Sequence, residues 1–227
     1  GEVWSCDEHR NRDGYFVKDG LDLLMNAGCI VGHNIVDFDI PAIQKLYPWF
    51  KPRGLIRDTI VMSRLMYADM TDADFRRDKD LKKKGRKWID QKLFGRHSLE
   101  SWGQRLGIWK GDYGKEKEAK GKALGLKGPD LVSYVWGEWS QEMQDYCDQD
   151  VEVTTQLWYK LNSKGFSDEI VNLEHDVRRI ISRQERYGFA FDKDAAVTLF
   201  GVLAQEKADL EKQLQGAFRP WFRALGQ

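Results

Sequence analysis

The stretch GCIVGHNIVDFDIPAI, residues 28–43, decides how the chain is read. Its first five residues form a short apolar run between glycines, the pattern of a buried strand. From Phe38 onward the pattern changes: Phe38, Ile40, Ile43 and Leu46 with Tyr47 recur at helical spacing. Pro41 fits the first turn of that helix, where its missing N–H costs nothing. Downstream, GLIRDT (54–59) repeats the arrangement, with a short strand followed by a helix over IVMSRLMYA that Asp58 or Thr59 can cap. Strand, helix, strand, helix predicts an α/β fold with parallel strand pairs. Upstream, EVWSC and GYFV read as a β-hairpin turning through Asn11 to Gly14.

The helical pattern continues toward the other end. HSLESWGQRLG reads as a helix that begins at Ser98 and stops at Gly107. The segment from Lys110 to Gly128 is dominated by glycine and lysine, so it buries little and reads as a loop or a weakly held helix. A long helix follows from about Ser140 to Leu161. Met143, Tyr146, Cys147, Asp150, Val151, Thr154, Leu157, Trp158 and Leu161 share one broad face of it. Trp102, Trp136, Trp139 and Trp158 read as core or helix-packing residues. After KGFSD, two long helices with few β signals suggest a separate region. A boundary near Lys164 to Asp168 divides the chain into residues 1–164 and 165–227.

The 36 basic and 36 acidic residues cancel, so net charge says nothing about partners. Their distribution does. Between Arg76 and Lys92 there are nine basic residues and three acidic ones, a surface that a phosphate backbone would find attractive. Lys82, Lys83 and Lys84 are its candidate contacts, and a solvated, lysine-rich loop is the alternative. Cys6, Cys29 and Cys147 have no metal-ligand spacing and do not make a disulfide framework. No apolar run approaches the roughly 18 residues of a membrane helix, and the start lacks the order of a signal peptide. A soluble, intracellular protein is the expectation.

Tyr146 and Asp150 lie one turn apart on the long helix and point the same way. An aspartate on a packed face needs a partner, because an unpaired buried carboxylate is costly. Asn34 and Asp39 stand where the 28–32 strand passes into its helix. Sites in open α/β sheets form at the carboxyl ends of strands. Two aspartates converging there from separate elements make half of an oxygen-ligand site for a hard divalent cation.

The order of four stretches carries a resemblance: GHNIVDFDIPAI, RDTIVMSRLMYADM, GRHSLESWGQRLGIWKGDY and EMQDYCDQDVEVTTQLWYKL. From about Gly28 to Leu161 they resemble the proofreading exonuclease domain of the family A DNA polymerases of short-tailed bacteriophages. LEHDVRRIISRQERYGFAFDKDAAVTL looks like the start of the polymerase part of the same enzymes. The resemblance implies a ribonuclease H-like (DnaQ-like) fold, a mixed sheet flanked by helices and followed by the first thumb helices. It implies DEDD-type 3'-5' hydrolysis of DNA at two Mg2+ or Mn2+ ions roughly 3.5–4 Å apart. Asp39 and Asp150 match metal-binding aspartates of that pattern. Tyr146 matches the tyrosine that orients the attacking water, since a phenol with an ordinary pKa of about 10 keeps its proton at neutral pH. Asn34 is a candidate substrate contact, and His33 beside it reads as structural.

The first motif of the family, a strand bearing D-x-E, has no match here. Asp7 and Glu8 are adjacent and would face opposite sides of a strand, and Glu2 stands alone. The expectation is a piece of a longer enzyme beginning after that strand, or a chain whose missing strand comes from a second polypeptide. Its partners would be a primer-template and a single-stranded 3' end, with or without a processivity factor, in the host cytoplasm. Two other functions fit the residues: a non-catalytic DNA-binding or assembly module with a degenerate exonuclease fold, and a free-standing DEDD-type RNA exonuclease.

Overall fold

The structure is a computed structural model describing residues 4–6, 15–109, 111 and 113–218. Two strands, β1 (Cys29–Gly32) and β2 (Leu55–Asp58), pair in parallel with Cys29 opposite Leu55 and Gly32 opposite Asp58. The helices are α1 (Val17–Asn26), α2 (Asp39–Leu46), α3 (Thr59–Met66), α4 (Met70–Lys82), α5 (Leu99–Leu106), α6 (Tyr113–Ala123), α7 (Gly128–Trp136), α8 (Gln141–Asn162), α9 (Asp168–Tyr187) and α10 (Lys193–Ala217). Among the described residues this is a mostly helical α/β chain with a small two-stranded parallel sheet. The close pairing of the strands depends on Gly54, where a Cβ would stand 2.1 Å from the carbonyl oxygen of Ala27.

Side-chain caps set four of the helix starts among the described residues. Asp58 caps α3 by accepting from the Ile60 N–H at 2.9 Å. Ser98 caps α5, Ser140 caps α8 and Asp192 caps α10 in the same way. Gly107 closes α5 in the left-handed region at φ 74°, where a side chain would be strained. The Gly- and Lys-rich segment forms α6, which packs on α7. Gly121 permits that approach, because a Cβ there would meet Leu131 Cδ1 at 2.5 Å.

Two expectations are corrected. GYFV is no hairpin strand: the chain enters α1 at Val17, and its only described pairing is a parallel bridge from Cys6 to Tyr15. Leu21, buried on one side of α1, shows the helical period that governs this segment. The expected turn Asn11 to Gly14, with Glu2, Asp7 and Glu8, lies outside the described residues. Trp136 and Trp139 are not core residues, being 50% and 42% exposed, though the Trp136 ring meets that of Tyr113 edge-on at 5.6 Å. Trp102 is fully buried, as its helix position suggests.

By contacts the chain forms two compact units, Gly1–Arg183 and Gln184–Gln227. The core of the first is Met62, Met70, Trp102, Val153, Leu157, Leu161 and Val171, contributed by α3, the start of α4, α5, α8 and α9. A smaller cluster of Ile30, Ile35 and Val36 sits under the sheet. Val153, Leu157 and Leu161, at spacing four, are the buried stripe of α8. Val151, read as part of that face, is exposed. The first unit extends through most of α9 because Val171 and His175 are buried there. In the second unit α10 buries none of its residues.

Candidate functional site

The carboxyl end of β1 feeds a short loop, His33 to Phe38, into α2. One buried side chain organises that loop. Asp58, at the end of β2, is fully buried, and its Oδ1 accepts from the backbone N–H groups of Asn34 and Ile60, both at 2.9 Å. Its Oδ2 accepts from the Val36 N–H at 3.1 Å. Asn34 takes φ 64°, alone among the described non-glycine residues in that region. The left-handed conformation costs about 1–2 kcal/mol, and the bond from its N–H to a carboxylate offsets that cost.

Asp39 opens α2. The residue is exposed, yet its carboxyl is held above the ordinary aspartate range. Loss of solvation is the first cause, the Asp58 charge behind it adds to that, and its own backbone N–H opposes both. A bound cation would offset the lost solvation first and the nearby Asp58 charge second.

Helix α8 brings the other candidates. It packs against α3, α5, α6 and β1, with Tyr146 and Asp150 half-buried one turn apart. Tyr146 lines an open cavity of about 970 Å³ with Ile108, Trp109, Tyr113, Glu142 and Gln149. Its ring lies 6.3 Å from that of Tyr113. Asp150 is thus on a helix in contact with β1, and Asp39 opens the helix that follows β1 in the chain, whose Ile40 packs on the Ile30 cluster. The donor oxygens suit a hard cation, but among the described residues no group of three or more His, Cys, Asp or Glu side chains is placed to hold a metal ion. The chain's own described residues offer at most part of a ligand set.

The basic run is half helix and half loop. It begins in α4, crosses a turn, and ends in a 3-10 turn, Gln91–Leu93. Lys82, Lys83 and Lys84 are all exposed. Lys82 pairs with Asp78 at 2.6 Å and Lys83 with Asp80 at 3.8 Å, so part of their charge is balanced within the helix. The run is anchored from beneath, where the Trp88 indole N–H donates to Asp74 Oδ1 at 3.1 Å.

In sequence Asp58 reads as a cap and α9 as an amphipathic helix, and the structure gives both further polar contacts. His175 is almost fully buried. Its Nδ1–H donates to the Val171 carbonyl at 2.7 Å, which leaves Nε2 to accept from the Asp58 N–H at 2.7 Å. His33 is held by a hydrogen bond to the first residue of α3. The Thr59 hydroxyl donates to Gly32 O at 3.3 Å and accepts from His33 Nδ1 at 2.8 Å. The signal for α9 was present as Asn172, His175 and Arg178, polar residues three apart on an otherwise amphipathic helix.

Burial pushes the pKa values of His33, His97 and His175 down, His33 to about 4. The unfolded chain takes up these protons near the ordinary value of about 6.5, and the folded chain takes them up only at lower pH. Stability is therefore complete above that value and falls as pH drops through it. Urea midpoints should decline from pH 7.5 to 5.5, and His175→Gln, whose amide oxygen can still accept from Asp58 N–H, should flatten the decline. An equal slope in parent and variant would remove His175 from the account.

No protein-family profile matches the chain. It is 34% identical to the DNA-directed DNA polymerase of Escherichia phage T7 over 226 aligned positions, covering 88% of this chain and 31% of that protein. It is 33% identical to the DNA-directed DNA polymerase of Enterobacteria phage T3 over 247 positions, covering 96% of this chain and 34% of that protein. The chain spans about a third of the length of these curated relatives. The resemblance carried by the four motifs is borne out at that level: most of the chain is similar to a portion of a phage DNA polymerase. No described helix is long and apolar enough to cross a membrane.

Proposed function

We propose that this chain carries the 3'-5' proofreading exonuclease part of a phage replicative DNA polymerase, with a ribonuclease H-like fold, followed by the first helices of the polymerase region. Residues 1–164 are the nuclease part and 165–227 the start of the second. What supports the reading is the similarity to the T7 and T3 enzymes, together with Asp39 at the start of the helix that follows β1 and Asp150 on α8, a helix in contact with β1. Asp39 and Asp150 would hold Mg2+ or Mn2+, which when bound supplies charge to activate water and stabilise the leaving oxygen. Tyr146, one turn before Asp150, holds the attacking water by hydrogen bond. Asn34 contacts the 3' end of the DNA, and the exposed face of Lys82 to Lys84 contacts its phosphates. With two of the four carboxylates of this nuclease pattern recognised in its sequence, the chain by itself leaves DNA intact.

Titration of the 227-residue chain with Mn2+ tests this. Asp39→Asn and Asp150→Asn should each weaken binding about tenfold, since affinity follows ligand charge and number. Unaltered binding in both variants, or robust hydrolysis of single-stranded DNA by the parent chain, contradicts the reading. The non-catalytic module is favoured by one observation, the lack of a three-ligand cluster among the described residues, and it predicts the unaltered result.

A further inference from the structure

The loop that presents Asp39 is held from two directions. Asp58 grips its amides from the sheet side. From the other side comes α9, a helix the sequence places beyond the nuclease domain. Arg178 donates from Nε to Asp37 Oδ2 at 2.7 Å, and its Nη2 pairs with the same oxygen. Asp37 lies two residues before Asp39 and belongs to the turn in which the Asp37 and Phe38 N–H groups donate to Asn34 O at 3.2 and 3.0 Å. A guanidinium gripping that turn limits how far the start of α2 can move.

Arg178 does not act alone. Along one side of α9, Asp168 and Asn172 accept from Arg57 at 3.1 and 2.7 Å. His175 accepts from the Asp58 N–H, and Arg178 reaches Asp37. Arg57 and Asp58 are consecutive at the end of β2, and Arg57 is almost fully buried. The helix is therefore docked on the sheet by its first two turns, and the next turn is left to grip the loop. This division of labour separates docking from positioning. Arg57 and His175 fasten the helix, and Arg178 uses the fastened helix as a fixed post.

We infer that Arg178 is a positioning residue for Asp39, so that the candidate nuclease site is complete only with the helix that leads into the downstream region. The inference rests on the nuclease reading for its functional meaning, while its structural part stands by itself. Cleavage chemistry at a cation site tolerates little displacement, and residues that hold a ligand in place matter to affinity nearly as much as the ligand.

The experiment compares the full chain with Arg178→Gln, Arg178→Lys, Asp39→Asn and the exchanged pair Asp37→Arg with Arg178→Asp. Amide hydrogen exchange is read at Asp37, Phe38 and Ile40, and at Asp58, whose N–H reports on α9 docking through His175. Arg178→Gln should speed exchange at the three loop amides about tenfold, the loss expected for a hydrogen bond to a charged group. The Asp58 amide should stay protected, and Arg178→Lys and the exchanged pair should restore much of the loop protection. Mn2+ binding should weaken about tenfold in Arg178→Gln and recover in Arg178→Lys. Loop exchange unchanged in Arg178→Gln, or rising in step with that of Asp58, overturns the inference, because α9 would then be only a structural support. Mn2+ affinity that is lost in Asp39→Asn but intact in Arg178→Gln also overturns it. If Asp39→Asn leaves Mn2+ binding intact, the nuclease reading falls, and the exchange rates still decide the positioning claim.

Discussion

Asp74→Ala should lower the unfolding free energy by about 3–5 kcal/mol, the loss typical when one member of a buried ion pair is removed. Asp74 and Arg105 are 3% and 5% exposed at their side chains, and Arg105 Nη2 lies 2.6 Å from Asp74 Oδ2. The carboxylate also accepts from Arg105 Nε, Trp88 Nε1 and the Gly95 N–H. Burial alone pushes this carboxyl up, and the bonds from Arg105, Gly95 and Trp88 together outweigh it and hold it below the ordinary aspartate range. Alanine leaves a buried guanidinium without its counter-charge, while Arg105 keeps its bonds to the Leu93 and Arg96 carbonyls. Chemical denaturation measures the loss, and a change below about 1 kcal/mol would mean that water replaces the carboxylate. Replacing both partners by apolar residues, Asp74→Leu with Arg105→Met, should recover most of the stability, since neither charge then remains buried.

Asp58→Ala should cost about 3 kcal/mol, from a lost cap and two further donors stranded at the loop. Alanine preserves the Asp58 N–H bond to His175, so α9 stays docked and the loss reports on the carboxylate. Asn34 then keeps its left-handed conformation without the bond that offsets it. Exchange at the Asn34, Val36 and Ile60 amides should rise together, because one carboxylate serves all three. Asp58→Asn should lose less, since its amide oxygen retains one acceptor. A rise confined to Ile60 would show that Asp58 is a helix cap and nothing more.

Both effects depend on contacts whose partners stand far apart in sequence. Arg105 is 31 positions from Asp74, and Asn34 and Val36 are 24 and 22 positions from Asp58. Spacing cannot announce such pairs. The caps at Asp58 and Ser98 were legible because a cap is a bond between a side chain and an amide two or three residues on. The strands β1 and β2 were legible for a similar reason, as short apolar runs before helices. The α8 face was half legible. Its period was correct, but the buried stripe runs through Val153 because α3 and α5 approach from that side.

The candidate site divides along the same line. Asp39, Tyr146 and Asp150 are candidates that residue type and motif order pick out, while the groups that hold their surroundings could not be read that way. The amino-acid order by itself determined the alternation of strand and helix, the helix caps, the clustering of basic residues and the similarity to phage DNA polymerases, all of which depend on neighbours within a few positions or on motif order. Only the tertiary structure decided that Asp58 grips the loop before Asp39, that Arg178 of α9 pairs with Asp37 in it, and that Trp136 and Trp139 stay outside the core. Burial and long-range hydrogen bonds exist only once distant segments meet, and the energy of those meetings, not local preference, selects which polar groups are matched.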